Sequence, residues 1–85
     1  MSWNYRLLAF ENEDETYFQI HEVYYNDRGA PNGYTENPVP VYGESIKGVK
    51  WVIDEMKKAL EKPTLWGGDK FPQEYLDRND KTTKI

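Results

Sequence analysis

The alternation of apolar and polar side chains changes character along this chain, and each change marks an element. Residues 3–10, WNYRLLAF, are dominated by aromatic and aliphatic side chains and predict a β-strand. The run Glu11-Asn12-Glu13-Asp14-Glu15 breaks it, because neighbouring like charges favour a solvated turn. Residues 16–25, TYFQIHEVYY, predict a second strand with Phe18, Ile20, Glu22 and Tyr24 on one side and Tyr17, Gln19, His21, Val23 and Tyr25 on the other. Neither side is uniformly apolar, so a bulge is expected near Glu22. Asn26-Asp27-Arg28-Gly29 is a turn, and residues 32–37 return as a third antiparallel strand. Pro38-Val39-Pro40 ends the ladder, since proline has no N–H to donate.

Ser45 is a good N-cap, and the rhythm then becomes helical. Ile46, Val49, Ile53, Met56 and Leu60 recur at spacings of three and four, with Val52 and Ala59 widening the stripe; Lys62-Pro63 stops the helix. Residues 65–68 read as a loop whose Leu65 and Trp66 lie back over the core. Residues 71–76 predict a short helix or turn opening at Pro72, and residues 79–85 a flexible tail. The chain is therefore expected to be one small α+β domain over residues 1–78: a three-stranded antiparallel β-meander packed on one long α-helix. The sheet face away from the helix would carry much of the aromatic set into solvent, and an exposed aromatic face of that size marks an interface.

Length and charge narrow the function. A chain of 85 residues buries only about 60–65% of its unfolded surface. It has no cysteine, so neither a disulfide nor a thiolate metal site supports the thin core. No apolar run is long enough to span a bilayer and the first residues lack a signal-peptide pattern, so the expected setting is cytoplasmic, away from membranes. The net charge of -4 is uneven: residues 1–42 carry seven acids against two bases, residues 43–85 eight acids against nine bases. A first half with only Arg6 and Arg28 argues against nucleic-acid binding, which needs a basic surface.

Candidate chemistry centres on His21, the single histidine. His21 and Glu22 are strand neighbours and face opposite sides, so they form no local acid–base pair. Cross-strand contact with Glu36 or Asn37 would instead gather His21, Glu36 and Asn37 into a pocket. One histidine without cysteine makes no zinc site, and the acidic run at 11–15 lacks the alternating ligands and central glycine of a calcium loop. Gly67-Gly68-Asp69-Lys70 lacks P-loop spacing, and no nucleophile elbow or triad can be composed; no metal or cofactor is expected. The aromatics point elsewhere. Trp51 lies off the helical stripe, between Lys47 and Lys58, as a candidate exposed anchor, and tryptophan and tyrosine dominate interface hot spots.

The combination of WNYR, YFQIHEVYYND, GYTENPV, GES and KALEKP resembles a family of short bacterial proteins of uncharacterised function, over residues 3–65. That resemblance implies a small domain and carries over no activity or catalytic residue. In element order alone, strands followed by GES and a helix with a long apolar stripe, residues 3–62 are similar to HicB-type antitoxins. This second likeness implies action by protein–protein contact, often as an oligomer. The expected function is thus a small non-catalytic protein-binding or regulatory module, of the kind found as a phage- or plasmid-associated inhibitor or antitoxin-like protein. Tyr17, His21, Tyr25, Tyr34 and Trp51 are the candidate contacts; a basic protein is the expected partner and a homodimer the expected self-assembly. The alternative is a small-molecule-binding domain or minor enzyme using His21, Glu36 and Asn37.

Overall fold

The computed structural model describes residues 2–76, so the flexible tail expected at 79–85 lies outside the described residues. The element order is β1 (Ser2–Asn12), β2 (Glu15–Tyr25), β3 (Pro31–Tyr34), α1 (Ile46–Ala59) and β4 (Leu65–Trp66), followed by a 3₁₀ turn at Gly68–Lys70. No described helix is long and apolar enough to cross a membrane.

β1 and β2 form a long hairpin that pairs Leu7 with Ile20 and Arg6 with His21. The acidic run contributes only its tip, because pairing continues to Asn12 and Glu15. Glu13 at that tip adopts φ 56°, left-handed backbone that strains a non-glycine residue by about 1–2 kcal/mol. At the other end the Asn26 carboxamide oxygen accepts from the N–H groups of Arg28 and Ala30, and Gly29 takes φ 80° to close the turn. The bulge falls between Tyr24 and Tyr25, beside that turn, instead of near Glu22. β3 ends at Tyr34, but the chain stays alongside β2: Thr35 N–H donates to the Glu22 carbonyl and Val39 N–H to the Ile20 carbonyl. Val39 does this between two prolines that have no N–H to give.

The sheet is not the expected three-stranded antiparallel meander. Its order is β3-β2-β1-β4, and β4 lies parallel to β1, with Leu65 beside Leu8 and Trp66 beside Ala9. The residues expected to loop over the core have joined the sheet. Gly67 N–H donates to the Ala9 carbonyl, and the chain then folds back so that Trp66 N–H donates to the Gln73 carbonyl and Tyr75 N–H to the Thr64 carbonyl. Residues 71–76 therefore form a turn and an isolated bridge, Leu65 to Glu74, and no helix.

Strand alternation sends side chains to two cores. On the helix side, Tyr5, Val52 and Ala59 are buried, with Ile20, Val39 and Met56 packed around them. On the other side Leu8, Val23 and Leu65 are buried beneath Phe10, Tyr25, Tyr34 and Phe71. Fully burying Leu8 or Val23 stabilises the fold by roughly 1.5–3 kcal/mol each. The second sheet face is thus covered by the chain after the helix and is not a bare aromatic surface. Arg6, buried on that face, ties the layers together: Nη1 donates to the Tyr25 hydroxyl (2.8 Å) and Nη2 to the Pro63 carbonyl (2.7 Å).

Ser45 caps α1 as expected, its hydroxyl accepting from Gly48 N–H at 3.0 Å, and Lys57 and Lys58 in the last turn suit the negative end of the helix dipole. The buried face is displaced from the stripe read in the sequence. Val52 and Ala59 face the sheet, Val49 and Met56 lie at its margin, and Ile46, Ile53 and Leu60 are exposed.

Candidate protein-interaction surface

His21 is held in the interior at 1% exposure. Its Nδ1–H donates to the Thr35 carbonyl at 2.9 Å with the Thr35 hydroxyl 3.2 Å away, and its Nε2 lies 3.1 Å from the Gln19 side-chain amide. Phe10 and Tyr34 pack on the ring, each with centroids 5.4 Å away. Burial lowers its pKa below the ordinary 6.5, and the bond to Thr35 offsets part of that shift. With Nδ1–H donating to Thr35, the neutral ring is an acceptor at Nε2 and bonds Gln19 when that amide turns its NH2 toward it.

Glu36 and Asn37 do not converge on it. Both are exposed, and Thr35 is the residue that reaches the ring while donating its own hydroxyl to the Asn37 carbonyl at 2.8 Å. The tyrosines named with His21 also serve the interior of that face. The Tyr25 hydroxyl donates to Asn4 Oδ1 at 2.7 Å and accepts from Arg6, while the Tyr34 hydroxyl accepts from Gly68 N–H at 2.8 Å. Tyr34 packs edge-on to Phe71 with centroids 4.9 Å apart. Tyr17 remains 41% exposed, stacked on Phe10, but it lies on the sheet face opposite Trp51. These five residues do not share one surface.

The structure assembles a different aromatic group around Trp51. Trp3 and Tyr5 alternate onto the helix side of β1, and α1 lays Trp51 beside them. Trp3 and Tyr5 have centroids 5.7 Å apart, and Tyr5 and Trp51 meet edge-on at 6.2 Å. Tyr5 is buried between two half-exposed indoles. Carboxylates border the group: Glu22 pairs across the sheet from Tyr5, and Glu55 lies one helical turn beyond Trp51. The Tyr5 phenol is pushed above its ordinary pKa by burial, then by the negative charges of Glu22 and Glu55. Tyr24, paired with Trp3, donates its hydroxyl to Glu22 at 3.0 Å, which raises its own pKa. Lys58 reaches Glu55 at 3.0 Å from the adjacent turn, a solvated pair of small energetic weight.

Trp3 was legible only as a strand residue. Its same-side spacing with Tyr5 is visible in WNYR, but the approach of Trp51 depends on where the helix crosses the sheet.

A shallow cleft of about 320 Å³ lies at the opposite end of the sheet, lined by Phe10, Glu11, Trp66 and residues 67–70. Its one cation is already engaged: Lys70 Nζ sits 4.3 Å from the Trp66 ring centre and 3.5 Å from Glu11. Among the described residues no group of three or more histidine, cysteine or carboxylate side chains is placed to hold a metal. No protein-family model, curated protein or solved structure matches this chain.

Proposed function

We propose that this chain is a small non-catalytic protein-binding or regulatory module that takes a basic partner on the surface formed by Trp3, Tyr5 and Trp51. The observation that carries this is the pair of half-exposed indoles held apart by a buried tyrosine, with Glu22 and Glu55 beside it. Indoles fixed by packing present large apolar area with little conformational freedom left to lose on binding. An arginine or lysine laid on such a ring gains about 0.5–2 kcal/mol, more as water is excluded. The two carboxylates steer that cation and fix its register. The same proposal extends to a cytoplasmic regulatory role, as a phage- or plasmid-associated inhibitor or antitoxin-like protein, which rests on the resemblance in element order read from the sequence. His21 enters this function through the stability of the sheet that carries β1.

The test is affinity capture followed by quantitative binding, with wild type and the W3A/W51A double variant in parallel. Wild type captures a basic protein that the double variant loses at unchanged helical and strand content, and E22Q/E55Q weakens the binding and flattens its salt dependence. A folded W3A/W51A variant that binds the same partner with undiminished affinity overturns the proposal.

A further inference from the structure

The helix carries a second surface on its other flank. At 3.6 residues per turn, the centre of the stripe formed by Ile46, Val49, Ile53, Met56 and Leu60 sits roughly a quarter turn from Val52 and Ala59, which face the sheet. The sheet therefore covers one margin of the stripe and leaves the rest open. Ile46 is 77%, Ile53 49% and Leu60 61% exposed. Seven-residue spacing stacks these three in one row along the helix, the spacing of one core row of a coiled coil. Gly43 lies so close to the helix backbone that a Cβ there would come within 2.7 Å of Val49 N, and the two residues before it, Val41 and Tyr42, are 60% and 63% exposed.

Charge decides what fits this row. On its solvent side the row is bordered by Lys50 and Lys57, both exposed, with Asp54 and Glu61 next around the helix; the ion pairs among the described residues involve Lys58 and Lys70 and neither of the two lysines on the border. A second copy of α1 packed antiparallel about Ile53 would place Ile46 opposite Leu60 of the other copy. That geometry sets Lys50 against Lys57 of the other copy twice over, and like charges across such a seam oppose pairing. A helix with the same apolar spacing and carboxylates at its flanks meets no such opposition. We propose that the Ile46–Ile53–Leu60 row with Lys50 and Lys57 is a docking surface for an acidic amphipathic helix of a partner protein. It is separate from the surface on which Trp51 lies.

Two synthetic helical peptides test this, each of about three heptads with leucine and isoleucine at the core positions, one flanked by glutamates and the other by lysines. Fluorescence anisotropy on the full chain, with backbone NMR shifts to locate the contact, supplies the readout. The acidic peptide binds, shifts the signals of Ile46, Ile53 and Leu60, and loses affinity with added salt. The I53E variant abolishes binding, and K50E/K57E weakens the acidic peptide about tenfold or more while gaining affinity for the basic one. W3A/W51A leaves the acidic peptide bound, which separates this result from the fate of the aromatic surface. The proposal is overturned if neither peptide binds, if both bind alike, or if K50E/K57E, checked for intact fold by circular dichroism, changes nothing. It is equally overturned if I53E dissolves a homodimer seen by sedimentation, or if the row binds anionic vesicles in preference to the acidic peptide.

Discussion

Replacing His21 with alanine is expected to damage the fold as the loss of a core residue does. The ring is 1% exposed and holds two polar partners, the Thr35 carbonyl and the Gln19 side-chain amide. Each bond contributes about 1 kcal/mol net, and leaving a partner buried without one costs about 1–3 kcal/mol. Loss of the ring contacts with Phe10 and Tyr34 adds about 0.5–1.5 kcal/mol each. Allowing for partial relaxation, H21A should destabilise by about 3–5 kcal/mol. A domain of 85 residues has only about 4–13 kcal/mol in total, so the variant sits near its unfolding threshold. H21F keeps the ring packing and loses only the polar bonds, and should cost about 1–3 kcal/mol.

Urea unfolding at several pH values measures both effects. Burial lowers the His21 pKa below 6.5, so above that pH the folded and unfolded states both hold the imidazole neutral. As pH falls below 6.5 the unfolded chain takes up the proton first, and this group's share of stability is lost until the folded state also titrates. The stability advantage of wild type over H21F should therefore shrink as pH is lowered from 7.5 towards 5. An H21A variant destabilised by less than about 0.5 kcal/mol, as expected of a surface position, would refute the structural assignment of His21. So would a gap between wild type and H21F that stays constant or widens on acidification.

Other substitutions probe the elements that set the two surfaces. A Cβ at Gly67 would overlap the Phe10 ring, so G67A should destabilise by about 1–3 kcal/mol in the same assay while F10L in that background recovers part of the loss. S45A removes the acceptor for Gly48 N–H and should cost about 1 kcal/mol, read as a lower thermal midpoint. W3A/W51A removes the buried half of two indoles and both of their contacts with Tyr5, about 1–3 kcal/mol for the contacts alone, so its far-ultraviolet spectrum and thermal midpoint are read beside its binding defect.

Much of this architecture is legible along the chain, and the departures have physical causes. Ser45 and the spacing through Leu60 locate the helix, because capping and periodicity are local. They do not say which part of a wide apolar arc the sheet will cover; Val52 and Ala59 take that place, packed with Tyr5. β4 is two residues long, too short for alternation to show, and its pairing with Leu8 and Ala9 depends on the crossover through the helix. The separation of His21 from Glu22 follows from strand geometry alone. The partner of His21 is Thr35 in place of Glu36 or Asn37, because β3 ends at Tyr34 opposite Val23 and the exposed residues 36–37 bend away from β2, leaving the Thr35 carbonyl and hydroxyl at the ring. The aromatic group at Trp3, Tyr5 and Trp51 joins residues from both halves of the sequence, and no local pattern announces it.

The three tryptophans make a direct test of the aromatic surface, because each indole N–H gives its own NMR signal. Trp3 and Trp51 belong to the proposed contact, whereas Trp66 lies at the far end of the sheet against Lys70 and Tyr75. Titrating the labelled protein with its captured basic partner should move the Trp3 and Trp51 indole signals together and leave that of Trp66 in place. Movement of Trp66 with Trp3 and Trp51 unchanged would contradict the account.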